Sequence, residues 1–404
     1  MKSKFAILFS ALTIAGGMHA SAADVFLNFT GSSAFRSAAH ATFKAMLGGA
    51  TTEIAYYVAN DNTPVSLDLA TTSIFKGTSA AFPGDTVYVR CFWQGSGAGI
   101  VAVANQTNIN LLTKANTLTT GNGTQVFDTP GTPTRLLETG KAQWAFSDVA
   151  KTLSTTPNAT FDGQSGPIGV QPFIYLLGQN NSLAGATLYN RITNMTTQTH
   201  NALWSLGTLP ASVFSGVATD TQTALACGRS STSGTRLTSL SETKYGAFTN
   251  VQQYSAVVTG TFPNATLGAV SGPVNTGLSD NLAVHKLLVA DGSTMTLGGS
   301  PVGSDAFFVG YVDATEGVAA VAEGAKMLSF NGVPYTVANV KNGSYTFWGY
   351  EQLYLVSGAT AAQKSFDTSL RSGIVANLPT NAIAISAMAV TRSGGDGGPV
   401  LPLQ

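Results

Sequence analysis

Residues 224–235 read Ala-Leu-Ala-Cys-Gly-Arg-Ser-Ser-Thr-Ser-Gly-Thr. The first four are an apolar run ending at Cys227. The next eight, Gly228 to Thr235, are small or hydroxylated apart from Arg229. From Arg236 to Tyr245 the chain places Leu237 and Leu240 at helical spacing, and Gly246 ends the run. The stretch therefore reads as strand, small-residue turn, helix. Two others share the pattern. Val25 to Phe29 leads through Thr30-Gly31-Ser32-Ser33 into Phe35 to Leu47, whose apolar positions Phe35, Ala38, Ala39, Phe43, Met46 and Leu47 step by three and four. Thr42 is the polar interruption of that face, and Gly48-Gly49 stops it. Thr86 to Phe92 meets Gln94-Gly95-Ser96-Gly97-Ala98-Gly99 and then Ile100 to Asn105. A fourth strand, Gln143 to Phe146, ends on Ser147-Asp148. Alternating strands and helices are the signature of an α/β fold.

In open α/β sheets ligands bind beyond the carboxyl ends of the strands. A helix N-terminus there presents unpaired N–H groups and a partial positive charge. Three such turns converging make an anion pocket. Arg229 adds a fork that grips two oxygens of an oxyanion. Asp148 has two readings. It is a helix N-cap, or it accepts the proton that HPO4²⁻ carries and sulfate lacks, so that sulfate meets only a repelling carboxylate.

The chain has 404 residues. Lys2 and Lys4, the apolar run from Phe5 to about Gly17, and Ala20-Ser21-Ala22 form a secretory leader with cleavage expected near Ala22. The remainder exceeds one ordinary core and suggests two domains. We expect 23–168 and 350–404 as one domain and 169–349 as the other. Gly169 to Leu177 and Phe347 to Val356 carry the chain across and back. Charged residues are 10%, against about 25% in typical soluble domains. The formal net charge is zero, so there is no basic surplus for a nucleic-acid partner. No stretch after the leader is long and apolar enough for a membrane span, so no membrane insertion is expected. Asn105 to Pro133, Ser154 to Gly169 and the stretch 180–225 read as loops, and the Gly/Pro-rich tail from Ser393 as loose. Cys91 and Cys227 read either as two buried small hydrophobes or as a disulfide. Tyr311, Trp348 and Tyr350 belong to the hinge or to core packing.

At these turns the chain resembles the phosphate-binding proteins of bacterial phosphate ABC transporters. Gly31-Ser32-Ser33-Ala34-Phe35 stands for that family's first turn, and Gln94 to Gly99 for its second. Phe146-Ser147-Asp148-Val149-Ala150 stands for a Ser-Asp-Ala-Pro-Leu segment. Arg229 to Thr235 stands for Arg-x-Asp-Gly-Ser-Gly-Thr, and Gly310-Tyr311-Val312-Asp313 for a later Gly-Tyr-Val-Glu segment. The resemblance implies two α/β domains on a two-strand hinge, with a cleft between them that closes on ligand. It implies hydroxyl donors at Ser96 and Ser233, charge-assisted bonds from Arg229, and Asp148 as acceptor of the ligand proton. Backbone N–H groups would come from Phe35, Gly234 and Thr235, with the Thr235 hydroxyl as well. The family's first-turn threonine falls on Ala34, and Ser33 is the substitute donor. Its Asp-Gly inside the arginine motif is Ser231-Thr232 here, which removes a carboxylate neighbour of Arg229. The implied partners are phosphate or a similar oxyanion and an ABC permease. The protein is expected to be monomeric, exported to the periplasm or secreted, and without cofactor or metal.

Other classes fit the residues less well. Gly95-Ser96-Gly97 is not a nucleophile elbow. The histidines after the leader, His40, His200 and His285, have no catalytic partner at a recognised spacing; His40 reads as a surface or core residue. A surface or adhesive protein would suit the high Thr, Asn, Ser and Gly content but not the strand-turn-helix units. A binding protein for a different anion stays open, because fold does not fix ligand.

Overall fold

The computed structural model describes residues 22–59, 66–117, 123–129, 131–163, 166–183 and 185–403. The expected leader, apart from Ala22, lies outside them. The site is positioned by seven strands and six helices. They are β1 (Asp24–Gly31), α1 (Arg36–Met46), β2 (Phe82–Trp93), α2 (Ser96–Asn105), β3 (Trp144–Ser147), β4 (Pro167–Leu177), β5 (Thr223–Ala226), α3 (Gly234–Glu242), α4 (Asn281–Val289), β6 (Ala306–Asp313), α5 (Ala314–Ala322), β7 (Trp348–Val356) and α6 (Ala361–Ala376). The fold is α/β.

One long sheet runs in the order Thr208–Pro210, β5, β6, β4, β7, β3, β1, β2, Thr72–Ser79, Glu53–Tyr57, Thr124–Val126. Within it β1 is parallel to both β2 and β3, and β5 is parallel to β6. β6 is buried at all eight positions, Ala-Phe-Phe-Val-Gly-Tyr-Val-Asp, the continuous apolar character expected of a strand covered on both faces.

β4 and β7 cross the middle as an antiparallel pair, with Val170 opposite Tyr350, Gln171 opposite Gly349 and Pro172 opposite Trp348. Each strand then changes partner. From Phe173 onward β4 pairs with β6, and from Gln352 onward β7 pairs with β3. Two strands thus link two halves, along the lines Gly169 to Leu177 and Phe347 to Val356 drew in sequence.

Two large cores flank that crossing. The first contains Phe29, Phe35, Phe43, Trp144, Phe146 and Phe366, with Phe29 stacked on Trp144 at 4.7 Å between ring centres. The second is built around Tyr175, Trp204, Tyr311, Phe330 and Phe347, with Tyr175 stacked on Phe347 at 4.8 Å. Offset aromatic pairs at such spacings add about 0.5–1.5 kcal/mol beyond their buried area. Tyr311 belongs to the second core, while Trp348 and Tyr350 lie on the hinge strand itself, Trp348 fully buried.

Three loop readings are corrected. Asn108–Leu112, inside the supposed 105–133 loop, is a strand that pairs with Leu137–Lys141. The 180–225 region carries the helices Thr187–Arg191 and Thr197–Leu206, the latter placing Trp204 in the core. The tail is not loose. Val390–Arg392 pairs with Val400–Pro402, and buried Arg392 meets Glu242 at 3.0 Å. Asp396 accepts from the Ala150 N–H at 2.6 Å. The tail's glycines at 394, 395 and 397 take positive φ, so the composition served tight turning, not looseness. Ile383, Met388 and Val390 join the second core, so after α6 the chain packs against the half that holds 169–349.

Candidate functional site

The three turns of the first half are held together by backbone. The Gly31 carbonyl accepts from Gln94 N at 3.1 Å and Gly95 N at 2.9 Å, and Ser32 N donates to the Phe146 carbonyl at 2.8 Å. Only glycine permits this closeness. Gly31 sits at φ +110°, and a Cβ there would fall 2.0 Å from the Phe146 oxygen. Ser96 opens α2, directly after β2, and is buried. Its hydroxyl donates to Asp148 Oδ1. Asp148, just past β3, is 2% exposed. The next helical turn, Lys151–Leu153, has Ala150 as its N-cap, so the cap reading of Asp148 is overturned: its carboxylate turns inward to Ser96.

In the second half β5 delivers the turn that carries Arg229, which is 4% exposed. One terminal nitrogen donates to Asn281 Oδ1 and the other to the Ser279 carbonyl at 3.1 Å. Among the described residues its Nε has no partner and it forms no ion pair. Thr235 Oγ1 donates to the same Asn281 oxygen at 3.3 Å. Asn281 Nδ2 donates in turn to Asp313 Oδ2. Asp313 ends β6 and caps α5, accepting from Thr315 N at 2.9 Å and Glu316 N at 3.0 Å. Ser233 is the N-cap residue of α3, yet its hydroxyl makes no capping bond. It is 1% exposed and, among the described residues, has no partner, where an N-cap serine ordinarily spends its oxygen on the helix.

The halves meet at these residues. Gly97 N donates to the Thr232 carbonyl at 2.9 Å. A Cβ on Gly234 would lie 1.5 Å from Asp148 Oδ1 and 2.4 Å from Ser96 Oγ. Ser96, Asp148 and Gly234 are therefore brought into one contact, with Ser233 the next residue along. Arg229 and Thr235 share Asn281 beside it. Ser33 stands at the Asn281 side of this cluster. It lines a small cavity of about 20 Å³ with Arg36, Asp280, Asn281, Asp313 and Glu316. Ala34 and Ser33 also line a wider groove of about 530 Å³ with Arg36, Asp313 and Glu316. The Phe35 ring is buried in the first core, against Gly169, which leaves only its backbone N–H for a ligand.

Burial sets the electrostatics. It pushes Asp148 up to about 6, with the Ser96 bond and the Arg229 charge pulling the other way. Burial and then neighbouring Glu316 push Asp313 up to about 6. Glu351, fully buried on β7, is raised well above the ordinary range by burial and by Asp148. Arg229 is lowered by burial, opposed by Asp280, Asp148 and Asp313.

Asn281, Asp313 and Arg36 escaped the sequence reading as site residues. Asp280-Asn281 ahead of an apolar run signals a helix start, and Asp280 does cap α4. Nothing local says that Asn281 reaches the arginine of another turn.

Cys91 and Cys227 are free, buried thiols whose pKa burial raises. The disulfide reading is excluded, and both pack in the cores as small hydrophobes. His40 is buried, with Nδ1 3.0 Å from the Leu67 carbonyl and Nε2 accepting from Trp93 Nε1 at 3.2 Å. Burial, then Arg36, lowers it to about 3. No described helix is long and apolar enough to cross a membrane.

No family model matches the chain, and no curated protein does. In solved structures it is similar to receptors of phosphate transport. One, from Clostridium perfringens with phosphate bound, is described as a phosphate ABC transporter substrate-binding protein. It is 14% identical with a TM-score of 0.45, over 89% of this chain and 99% of that one. An ABC-type phosphate transport receptor from Vibrio cholerae is 12% identical with a TM-score of 0.42, over 87% and 98%. PstS from Borrelia burgdorferi is 11% identical with a TM-score of 0.34, over 85% and 91%.

Proposed function

We propose that the chain is an exported, non-enzymatic receptor that captures monohydrogen phosphate between its two halves and presents it, as a monomer, to an ABC permease. The observation that carries this reading is the Asp148–Gly234 contact. It joins the ends of β3 and α3 around groups that still have bonds to give. Among the described residues Ser233 keeps a free buried hydroxyl, and Arg229 is a buried cation with Nε unpaired and no carboxylate paired to it. A buried, unpaired cation is costly, and an oxyanion would offset that cost. Arg229, the Ser96 and Ser233 hydroxyls and the N–H groups at Phe35, Gly234 and Thr235 would donate to the ligand, with Ser33 replacing the missing hydroxyl at Ala34. Asp148 would accept the ligand's own proton, which excludes sulfate. Residues 23–168 and 169–349 would form the bodies of the two domains, with β4 and β7 as hinge. A ligand contacted from both sides binds the closed form best, and that difference in affinity is what drives closure.

Isothermal titration of the chain from residue 23, stripped of ligand by unfolding and refolding, tests the reading. Micromolar or tighter binding of phosphate with none of sulfate at neutral pH supports it. Absence of phosphate binding refutes it.

A further inference from the structure

A separate cavity, of about 440 Å³, lies between the halves. It borders the oxyanion cluster at Gly97 and Thr232, but Ser96, Asp148, Arg229, Ser233, Gly234 and Thr235 do not line it. Both halves contribute to a mainly apolar wall: Val101 of α2, Ile109 and Leu153 from one, Leu237 of α3, Ala247 and Phe248 from the other. Phe248 is 60% exposed, a large aromatic surface left at the cavity instead of in a core. Size and character are those of a small-molecule pocket, which pairs apolar walls with a few convergent polar groups.

Arg236 supplies the charge. It lines the cavity and is 2% exposed. Its terminal nitrogens donate to neutral acceptors: the carbonyls of Arg229 and Asn275, at 3.4 and 2.6 Å, and Asn275 Oδ1. Its Nε has no partner, and among the described residues no carboxylate pairs with it. A cation taken out of water in this way keeps an unmet demand for negative charge. The phosphate reading makes no use of it.

We propose that this cavity is a second binding site, taking a small apolar carboxylate: a hydrocarbon or aromatic body seated between α2 and Phe248, with its single carboxylate on Arg236. The apolar wall excludes a highly charged ligand. The unpaired guanidinium selects an anion over a neutral analogue of the same size.

The test is isothermal titration of the chain from residue 23 with octanoate and with octanol, on the wild type and on the variants Arg236→Gln and Val101→Trp. The expected result is one octanoate per chain, bound at least tenfold more tightly than octanol. Arg236→Gln should remove that preference. Val101→Trp fills the cavity from α2 without touching the bonds of Arg236, and should abolish binding of both probes. Absence of saturable octanoate binding, equal affinity for octanoate and octanol, or binding that survives Val101→Trp unchanged would each overturn the proposal, whether or not Arg236→Gln folds.

Discussion

The carboxylate of Asp148 stands where a side chain on Gly234 would begin: a Cβ at 234 would fall 1.5 Å from Asp148 Oδ1. Gly234 is the first residue of α3, outside the left-handed backbone region, so alanine there suits the helix itself. The three atoms it would meet most closely, Asp148 Oδ1 and Cγ and Ser96 Oγ, all belong to the opposite half, and opening the cleft relieves that clash. Gly234→Ala should therefore keep its unfolding transition and lose at least a hundredfold in phosphate affinity. Titration and thermal unfolding, run side by side, check this. Retained affinity would mean that the Asp148–Gly234 contact is not part of the bound state.

Arg229 and Asn281 should separate in their effects. Arg229→Gln removes a charge-assisted contact from a dry pocket and should weaken phosphate by about 2–4 kcal/mol. Asn281→Ala keeps the charge but frees the guanidinium from its tether and leaves Asp313 without its amide donor. We expect a smaller loss, of about 1–2 kcal/mol. Affinity measured at two salt concentrations distinguishes them: the salt dependence should shrink in Arg229→Gln and persist in Asn281→Ala.

Most of the frame could be read from the chain, because each signal was local. Gly31-Ser32-Ser33, Gln94 to Gly99 and Gly228 to Thr235 do link strands to helices, although α2 opens already at Ser96 and α3 at Gly234, inside the expected turns, and apolar Gly169 to Leu177 and Phe347 to Val356 do form the crossing pair. What stayed hidden was contact between distant segments. Asn281 meets Arg229 across 52 positions, and no spacing rule reaches that far. The tail was misjudged for another reason. Glycine content signals either looseness or tight turning, and only the burial of Arg392 and Asp396 decides between them.

Asp148 should control the choice between phosphate and sulfate, and do so with pH. At neutral pH it is ionised and repels an anion that has no proton to offer. Below about 6 it gains a proton and becomes a donor that sulfate can accept. Sulfate exclusion should thus weaken in the wild type as pH falls from 7 to 5. Asp148→Asn, a donor at every pH, should admit sulfate with no such trend while losing less affinity for phosphate. Competition titrations at pH 5 and 7 read both effects. Sulfate still excluded by Asp148→Asn would leave the carboxylate a purely structural role.

The same carboxyl should leave a mark on stability. Its folded pKa, about 6, lies above the ordinary aspartate value of 3.8. The folded state therefore holds the proton more tightly than the unfolded chain. That contribution is fully present below pH 3.8 and is lost as pH rises through about 6. His40 and His200, lowered by burial to about 3 and about 4, act in the opposite sense over nearly the same window, so the wild-type curve alone does not isolate Asp148. In the difference between Asp148→Asn and wild type the histidine contributions cancel, leaving Asp148 together with its coupling to Glu351. Asparagine carries no charge to bury. Its stability relative to wild type should rise by on the order of 2–3 kcal/mol between pH 4 and pH 7 in the absence of ligand. Denaturant melts of both proteins at those two pH values measure it. A difference that does not change with pH would show that Asp148 titrates normally and is not held in a dry cleft.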